Sequence, residues 1–214
     1  MHPRFILVAA LLPLAACAGS GSSPKAPSSA TVRALSWQEH ISAPDRKRLA
    51  SLWGAWTRSL NEAGQAGQGG AVAALGDVAV SDAARAAPPP PPGLYRCRSV
   101  KLGVRDDGAP RANAPAMDVS AVFPCSITEK AGLLWFEQAG GAQRIGGTLY
   151  PDGDRMVFLG SKALAGEMGV MAYGADASRD QVGVLRAYGD KRWRIELPWP
   201  MWQSNLEIIE ILPG

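Results

Sequence analysis

Histidine and cysteine are scarce in this sequence, which has two histidines and three cysteines in 214 residues. His2 lies in an N-terminal segment that we expect to be removed, so His40 is the one histidine of the mature chain. Sites that need two or more histidines are therefore excluded. The formal net charge of +3 is near balance and leaves no basic stripe for nucleic acid. We predict no metal site, no cofactor and no nucleic-acid partner.

A long apolar segment is missing as well. The run 5–16 carries no charge, but it is shorter than the roughly 20 apolar residues that span a bilayer. A basic start at Arg4, followed by such a run and by small residues, is typical of a secretory signal peptide. We therefore predict that residues 1–16 are a signal peptide and take no part in the fold.

The end of this segment resembles the lipobox of bacterial lipoproteins, with Leu-Ala-Ala-Cys at positions 14–17. The resemblance implies that Cys17 is lipid-modified and anchors the protein to a membrane, since several acyl chains together give stable attachment. Ala18 rather than Asp follows the cysteine, which favours the inner leaflet of the outer membrane, with the protein facing the periplasm. Residues 17–35 then form the lipidated cysteine and a flexible tether. The alternative is a plain secreted protein in which Cys17 has no role.

Residues 36–64 predict a helical lead-in. Ser36 and Glu39 have the spacing of a capping box, and a second helix start follows at Ser42. Apolar residues then recur at steps of three and four, which indicates one helix face on a core: Leu49, Leu52, Trp53, Trp56, Leu60 and Ala63. Residues 65–92 are rich in Ala, Gly and Pro and predict a linker that ends in five consecutive prolines.

From Gly93 onward the apolar period changes to two, which indicates strands. Nine strands are predicted, at 94–102, 119–127, 133–138, 142–150, 155–159, 170–173, 182–188, 191–197 and 206–212. Short strands separated by turn signals favour an antiparallel sheet, folded as a barrel or a sandwich, and we favour the barrel. The fold class is therefore mainly β with N-terminal helices (α+β), with a β domain over 93–214.

Two of these strands carry finer patterns. Arg192, Arg194 and Glu196 alternate with apolar residues, which predicts that one face of this strand meets water. In the last strand the apolar phase switches between Ile208 and Ile209, which predicts a β-bulge.

Cys97 and Cys125 remain once Cys17 is assigned to lipid, and an exported protein matures in an oxidising compartment. We therefore predict a disulfide between them that staples the first two predicted strands. The alternatives, a metal pair or a reactive thiol, lack a third ligand or a basic helper nearby.

Several ordered motifs resemble a family of bacterial envelope proteins known as domain of unknown function 4893. The motifs are PGLYRCR at 92–98, VKLG at 100–103, AQRIGGTLY at 142–150, VFLG at 157–160 and RWR at 192–194. The resemblance spans residues 36–212 and implies a secreted or lipid-anchored bacterial protein. It implies no activity, and no catalytic residue can be carried over from it.

Two functions of different classes remain open. In the first, the β domain binds a small apolar or amphipathic molecule, with Trp135, Tyr150 and Trp193 as lining residues. Gln143 and Arg144 lie beside two strand glycines, where the arginine could donate hydrogen bonds to a carboxylate or phosphate. The alternative is that the glycines curve the barrel wall and Arg144 pairs with a neighbouring acid. In the second, exposed loops make a protein-binding or inhibitor module that faces the periplasm.

Enzymatic action is the least favoured reading, and no catalytic residue is predicted. His40 lies in the helical lead-in, and the chain has no recognisable nucleophile motif that it could serve.

The apolar segment 199–202 contains two tryptophans and a proline, so it is predicted to be a loop or an edge. It would either plug one end of a barrel or form a contact surface.

Overall fold

The computed structural model describes residues 36–105 and 115–214 of the chain. The predicted signal peptide at 1–16, the lipidation site Cys17 and the tether through residue 35 therefore lie outside the described residues. Among the residues that are described, none of the helices is both long and apolar enough to cross a membrane.

The described chain begins with a 3-10 turn at Trp37–Glu39, which is followed by helices α1 at Ala43–Ala50 and α2 at Leu52–Gln65. The Ser42 side chain caps α1 by accepting a hydrogen bond from the Asp45 N–H at 3.3 Å. Trp56 is 2% exposed, whereas Trp53 is 66% exposed and lies outside the buried face that its spacing predicts.

The segment 65–92 also contains short helices, α3 at Gly69–Ala73 and a 3-10 helix at Gly76–Ala79. Val78 and Ala79 are buried with the residues of α2. The chain then runs extended toward β1, and the Arg85 N–H donates to the carbonyl of Ala187 at 2.8 Å. The second half of this segment thus contacts the sheet, through hydrogen bonds that involve Asp77, Arg85 and Pro88.

Nine antiparallel strands follow within the described part of the chain. They are β1 Gly93–Leu102, β2 Met117–Val119, β3 Phe123–Lys130, β4 Leu133–Gln138, β5 Gln143–Asp152, β6 Arg155–Leu164, β7 Asp180–Gly189, β8 Arg192–Pro198 and β9 Leu206–Pro213. All except β2 form a closed barrel in the order β1-β3-β4-β5-β6-β7-β8-β9, because β1 pairs with β9. The predicted antiparallel barrel is confirmed.

Two strand predictions are wrong in detail. The predicted strand 170–173 is a loop, in which the Tyr173 hydroxyl donates to Asp45 at 2.5 Å and Val170 lies against Gly146. Its apolar residues pack on the helices and on the outside of the barrel instead of pairing with a neighbour. The predicted strand 119–127 is split, since β2 ends at Val119 and β3 begins at Phe123.

The alternating residues of the barrel belong to two separate cores. The inner core takes side chains from all eight barrel strands, including Cys97, Phe136, Phe158 and Ile209. The outer core joins the opposite faces of β1, β6, β7 and β9 to the helices, through residues such as Trp56. Burying both faces of a sheet is what removes the simple alternation of apolar and polar residues.

The outer core explains why the two finer sequence predictions, for β8 and for β9, differ from the structure. Arg194 is 0% exposed and Glu196 is 1% exposed, so these two charged residues of β8 meet the helical segment and not water, whereas Arg192 is exposed as predicted. β9 pairs with β1 and β8 in continuous register through Ile208 and Ile209, which therefore point to opposite cores. The predicted bulge is wrong, because the phase switch reflects burial of both faces.

The predicted disulfide between Cys97 and Cys125 is confirmed. It links β1 to β3 inside the barrel, with a Cα–Cα distance of 6.0 Å. Such a cross-link constrains the unfolded chain, by roughly 3 to 4 kcal/mol for a loop of this length.

Two inward-facing glycines allow β5 and β6 to come close. Gly147 pairs with Gly160, and a Cβ on Gly147 would lie 2.4 Å from the Gly160 Cα. The same added atom would lie 2.8 Å from the Phe158 ring, which covers both glycines. Gly147 of the AQRIGGTLY motif and Gly160 of the VFLG motif thus have a packing role in the barrel wall.

Candidate functional site

The middle of the barrel is filled. Phe136 and Phe158 are fully buried there and make an edge-to-face contact with ring centroids 6.3 Å apart. Ile127 and Leu149 are also fully buried beside them. The space available for a ligand therefore lies at the two ends of the barrel and on its outer wall.

An apolar cavity of about 750 Å³ lies at the end of the barrel where β1 begins. Its walls include Tyr95, Ala187 and Trp193 of the barrel and the prolines of the chain that enters β1. We call residues 85–91 the strap and this space the strap cavity. Tyr95 and Trp193 meet edge to face, with an interplanar angle of 88°.

The polar atoms of both aromatic rings hold the strap. The Trp193 indole N–H donates to the carbonyl of Pro88 at 3.0 Å, and the Tyr95 hydroxyl donates to that of Pro91 at 2.6 Å. Burial raises the pKa of Tyr95 above its ordinary value, so the hydroxyl stays a donor at neutral pH. Because these groups are occupied, the rings turn apolar surface toward the cavity.

The opposite end of the barrel is polar. A cavity of about 400 Å³ lies there between Ser99, Lys101, Gln138, Gln143 and Glu207, and we call it the polar mouth. The Gln143 Oε1 is buried and has no hydrogen-bond partner among the described residues. Gln138 beside it is bonded, since its Nε2 donates to the carbonyl of Gly140 at 2.9 Å.

A buried ion pair closes the floor of the polar mouth. The Lys162 Nζ lies 3.2 Å from a Glu207 carboxylate oxygen, and the two side chains are 1% and 6% exposed. The Ser99 hydroxyl donates to the other oxygen at 2.8 Å. Burial opposes ionisation of Glu207, but Lys162, Lys101 and Ser99 outweigh it and hold the pKa of this carboxyl below its ordinary value.

The loop between β8 and β9 covers this end in part. The Trp202 ring lies between two cations, with Lys162 Nζ at 5.7 Å and the Arg179 guanidinium carbon at 5.8 Å from its centroid. Trp199 instead packs on the outer core and donates to Ser51 at 2.7 Å. Of the two loop tryptophans, Trp202 therefore lies over a barrel end and Trp199 lies against the helices.

A third cavity, of about 420 Å³, lies on the outer wall between the helices and strands β6 to β8. We call it the arginine cleft, and its defining residues are Trp37, Arg46, Trp53, Trp56, Arg155 and Arg186. Glu196 is the acid in its lining, and both of its oxygens are engaged, by Arg194 at 2.7 Å and by Trp56 at 3.1 Å.

The five binding residues predicted from sequence do not form one site. Trp193 lines the strap cavity and Gln143 lines the polar mouth at the other end. Trp135 lies on the outer face of β4, with Lys130 Nζ 3.9 Å above its ring. Arg144 donates to the carbonyl of Glu167, also outside the barrel.

Tyr150, the fifth predicted residue, belongs to the outer core. Its ring lies 5.3 Å from that of His40, at an interplanar angle of 31°. Both residues therefore serve the contact between the 3-10 turn and β5. His40 lies outside the linings of all three cavities.

Two further acids are buried together at the start of α1. Asp45 accepts from Tyr173 and from Arg48 Nη1 at 2.7 Å, and Asp180 accepts from the N–H of Gly174 at 2.9 Å. Burial, reinforced by the bond to Asp45, raises the pKa of Tyr173 to about 12. Neither acid lines any of the three cavities. The hydrogen bonds of this cluster instead hold the loop 165–179 against α1.

The sequence analysis missed several residues of these cavities. Tyr95 shares the inward phase of Cys97 on β1, and this phase could have identified it. Lys162 and Glu207 follow the inward phase of β6 and β9 in the same way. Arg186 carries no local signal, because its position depends on helices far away in sequence. Among the described residues, no three His, Cys, Asp or Glu side chains cluster as a metal site would require.

The comparisons with known proteins add one match. The model of a family described as a domain of unknown function (DUF4893) matches residues 37–211. No curated protein and no solved structure matches the chain.

The buried pair in the polar mouth makes stability depend on pH. Glu207→Gln should lower the free energy of unfolding at pH 7 by about 3–5 kcal/mol, because Lys162 stays buried without its carboxylate. The folded-state pKa of Glu207 lies below the unfolded one, so its contribution is present above the unfolded pKa of about 4.5 and is lost as pH falls through the folded pKa. The gap between wild type and variant should narrow below that pH in urea titrations.

A matched control is Glu129→Gln, which removes the same charge from an exposed position. This variant should follow the wild type within about 0.5 kcal/mol at every pH. A gap for Glu207→Gln that stays constant from pH 7 to pH 3 would contradict the role given to the ion pair.

Proposed function

The chain belongs to the DUF4893 family, whose description states no function, and from the geometry we propose that it binds a small apolar or amphipathic molecule in the strap cavity. The observation that carries the proposal is a cavity of about 750 Å³ walled by two aromatic rings whose polar atoms are already bonded to the strap. Ligand cavities in proteins have volumes of this order and are mostly apolar.

The cavity walls favour an apolar body over a polar one. Tyr95, Trp193 and Ala187 supply the barrel side, and the strap prolines, which have no N–H, supply the other. A ligand that binds there would exchange contact with water for contact with aromatic and pyrrolidine surface. The favourable free energy of this transfer is roughly 25 cal/mol for each Å² of apolar surface buried. The strap prolines offer carbonyls but no N–H donor, so a ligand atom that needs a donor is disfavoured against the strap.

The rim supports an amphipathic ligand. Arg85, Asp190 and Lys191 lie at the cavity edge, where a polar head could stay in contact with water and with one of these charges. Leu94, which is 82% exposed, continues the apolar surface out of the cavity. An exposed leucine beside a cavity is also the feature that favours the second candidate, a protein partner that inserts an apolar side chain.

The proposed setting is the cell envelope. The lipobox-like sequence supports lipidation of Cys17, anchoring in the inner leaflet of the outer membrane and exposure to the periplasm. The tether of residues 17–35 would place the barrel within reach of molecules that leave or enter the membrane. The disulfide between Cys97 and Cys125 is consistent with an oxidising compartment.

Titration of the purified full chain with N-phenyl-1-naphthylamine, an uncharged apolar fluorophore, tests the proposed ligand class. We expect saturable binding at one site per chain. Trp193→Ala should weaken it at least about tenfold, because the ring forms one wall of the cavity. Trp135→Ala removes the same side chain from the outer face of β4 and should leave the affinity unchanged.

Leu94→Glu provides a second variant that leaves the barrel core intact, since this side chain is exposed. It places a charge on the apolar wall and should also weaken the fluorophore, whereas Met168→Glu, at another exposed position, should not. Equal affinities in all four variants and the wild type would refute the strap cavity as the binding site. Absence of saturable binding to a folded wild type would refute the small-molecule function and favour a protein partner.

The anchoring proposal is tested separately. Cells that express the full chain should incorporate a fatty-acid analogue into it and retain it in the membrane fraction. Cys17→Ser should abolish both, because the lipid is attached through this sulfur, whereas Ser20→Ala should change neither. Equal labelling of the wild type and the Cys17 variant would contradict lipidation at this residue.

A further inference from the structure

One row of charged side chains crosses the outer wall of the barrel. Arg98, Glu210, Arg194 and Arg186 lie opposite one another in successive strand pairs, on β1, β9, β8 and β7. Arg186 therefore lies directly across from Arg194. Like charges in this arrangement destabilise a sheet unless other groups compensate them.

Acids compensate the other arginines of the row. Arg98 forms an ion pair with Glu210, and the Arg194 Nε lies 2.7 Å from a Glu196 oxygen. Arg186 is half-buried, its Nε is fully shielded from water, and it makes no hydrogen bond or ion pair with any residue that the structure describes. A guanidinium in this environment has donors that require an acceptor.

A second arginine lies beside it. Met156 of β6 pairs with Leu185 of β7, which places Arg155 next to Arg186 on the outer face. Arg155 forms an ion pair with Asp152 at 2.8 Å, and the other Asp152 oxygen accepts from the indole of Trp37 at 3.0 Å. Each oxygen of this carboxylate thus already accepts one hydrogen bond, and neither of these contacts is to Arg186. Asp154 lines a smaller cavity together with Arg155 and Arg186.

These arginines open into the arginine cleft. Arg46 lies on its helical side and rests 5.7 Å from the centroid of the Trp37 ring. Trp53, the tryptophan that is 66% exposed, contributes an aromatic wall beside the cations. The cleft therefore combines surplus positive charge with aromatic surface, in a volume of about 420 Å³.

We propose that the arginine cleft binds a small anion that carries an aromatic ring, with its carboxylate or phosphate on Arg186 and Arg155 and its ring against Trp53. An oxyanion would give the Arg186 guanidinium the acceptor that residues 36–105 and 115–214 do not supply. The ring would cover tryptophan surface that now faces water. None of the residues that line this cleft lines the strap cavity, so this inference is independent of the proposed function.

Phenyl phosphate is the probe, followed by tryptophan fluorescence and by the indole N–H resonances of the purified full chain. We expect saturable binding that Arg186→Gln weakens at least about tenfold, as for loss of a charge-assisted hydrogen bond. Arg96→Gln removes the same charge from an exposed position on β1 and should change the affinity less than twofold. Phenol and inorganic phosphate, each with half of the recognised chemistry, should both bind more weakly than phenyl phosphate.

Thermal unfolding without ligand separates a binding role from a structural one. Arg186→Gln should unfold at the same temperature as the wild type or higher, because it removes an uncompensated charge, and it should lose the stabilisation that phenyl phosphate gives the wild type. A lower midpoint for the unliganded variant would overturn the proposal, since Arg186 would then hold the fold. Equal weakening by Arg186→Gln and Arg96→Gln, or binding of inorganic phosphate as tightly as phenyl phosphate, would overturn it as well.

Discussion

Arg194 connects the barrel to everything that precedes it in the chain. Its guanidinium is 0% exposed on the outer face of β8 and donates to four carbonyls between residues 77 and 81, at 2.8 to 3.1 Å. Glu196 neutralises it at 2.7 Å and in turn accepts from Trp56, whose ring lies 4.9 Å from the guanidinium carbon. A charge can be buried only when its donors are satisfied, so this one cation requires the segment 77–81, helix α2 and the barrel wall to stay together.

The cavities follow from that arrangement. Since the segment 77–81 is fixed on the outer wall, the chain after it is directed along β7 to the end of the barrel, where residues 85–91 become the strap. The helices, held against the same wall, leave a gap above β6 to β8 that becomes the arginine cleft. The Phe136 and Phe158 rings fill the middle of the barrel, so the binding surfaces lie where the barrel meets its surroundings.

Features that depend on the local sequence pattern and on the cellular compartment could be predicted from the sequence. The period of two predicts the antiparallel barrel, and the predicted export signal with two remaining cysteines predicts the bond between Cys97 and Cys125. The pattern of β8 predicts that Arg194 meets water, but this residue is buried. The alternation shows which face of the strand is polar and does not reveal what covers that face. The predicted binding residues are scattered for a similar reason. Trp193 and Gln143 share the inside of the barrel but lie at opposite ends, and only the register separates them.

Hydrogen exchange of the full chain with Arg194→Met tests most directly whether this cation holds the outer core together. The account predicts that amides in residues 76–81 and in α2 lose protection while β3 to β5 keep theirs, since the inner core and the disulfide are untouched. Arg186→Met, opposite Arg194 in the sheet, should leave both regions protected. Unchanged protection of residues 76–81 in Arg194→Met, or an equal loss over the whole barrel, would contradict the account.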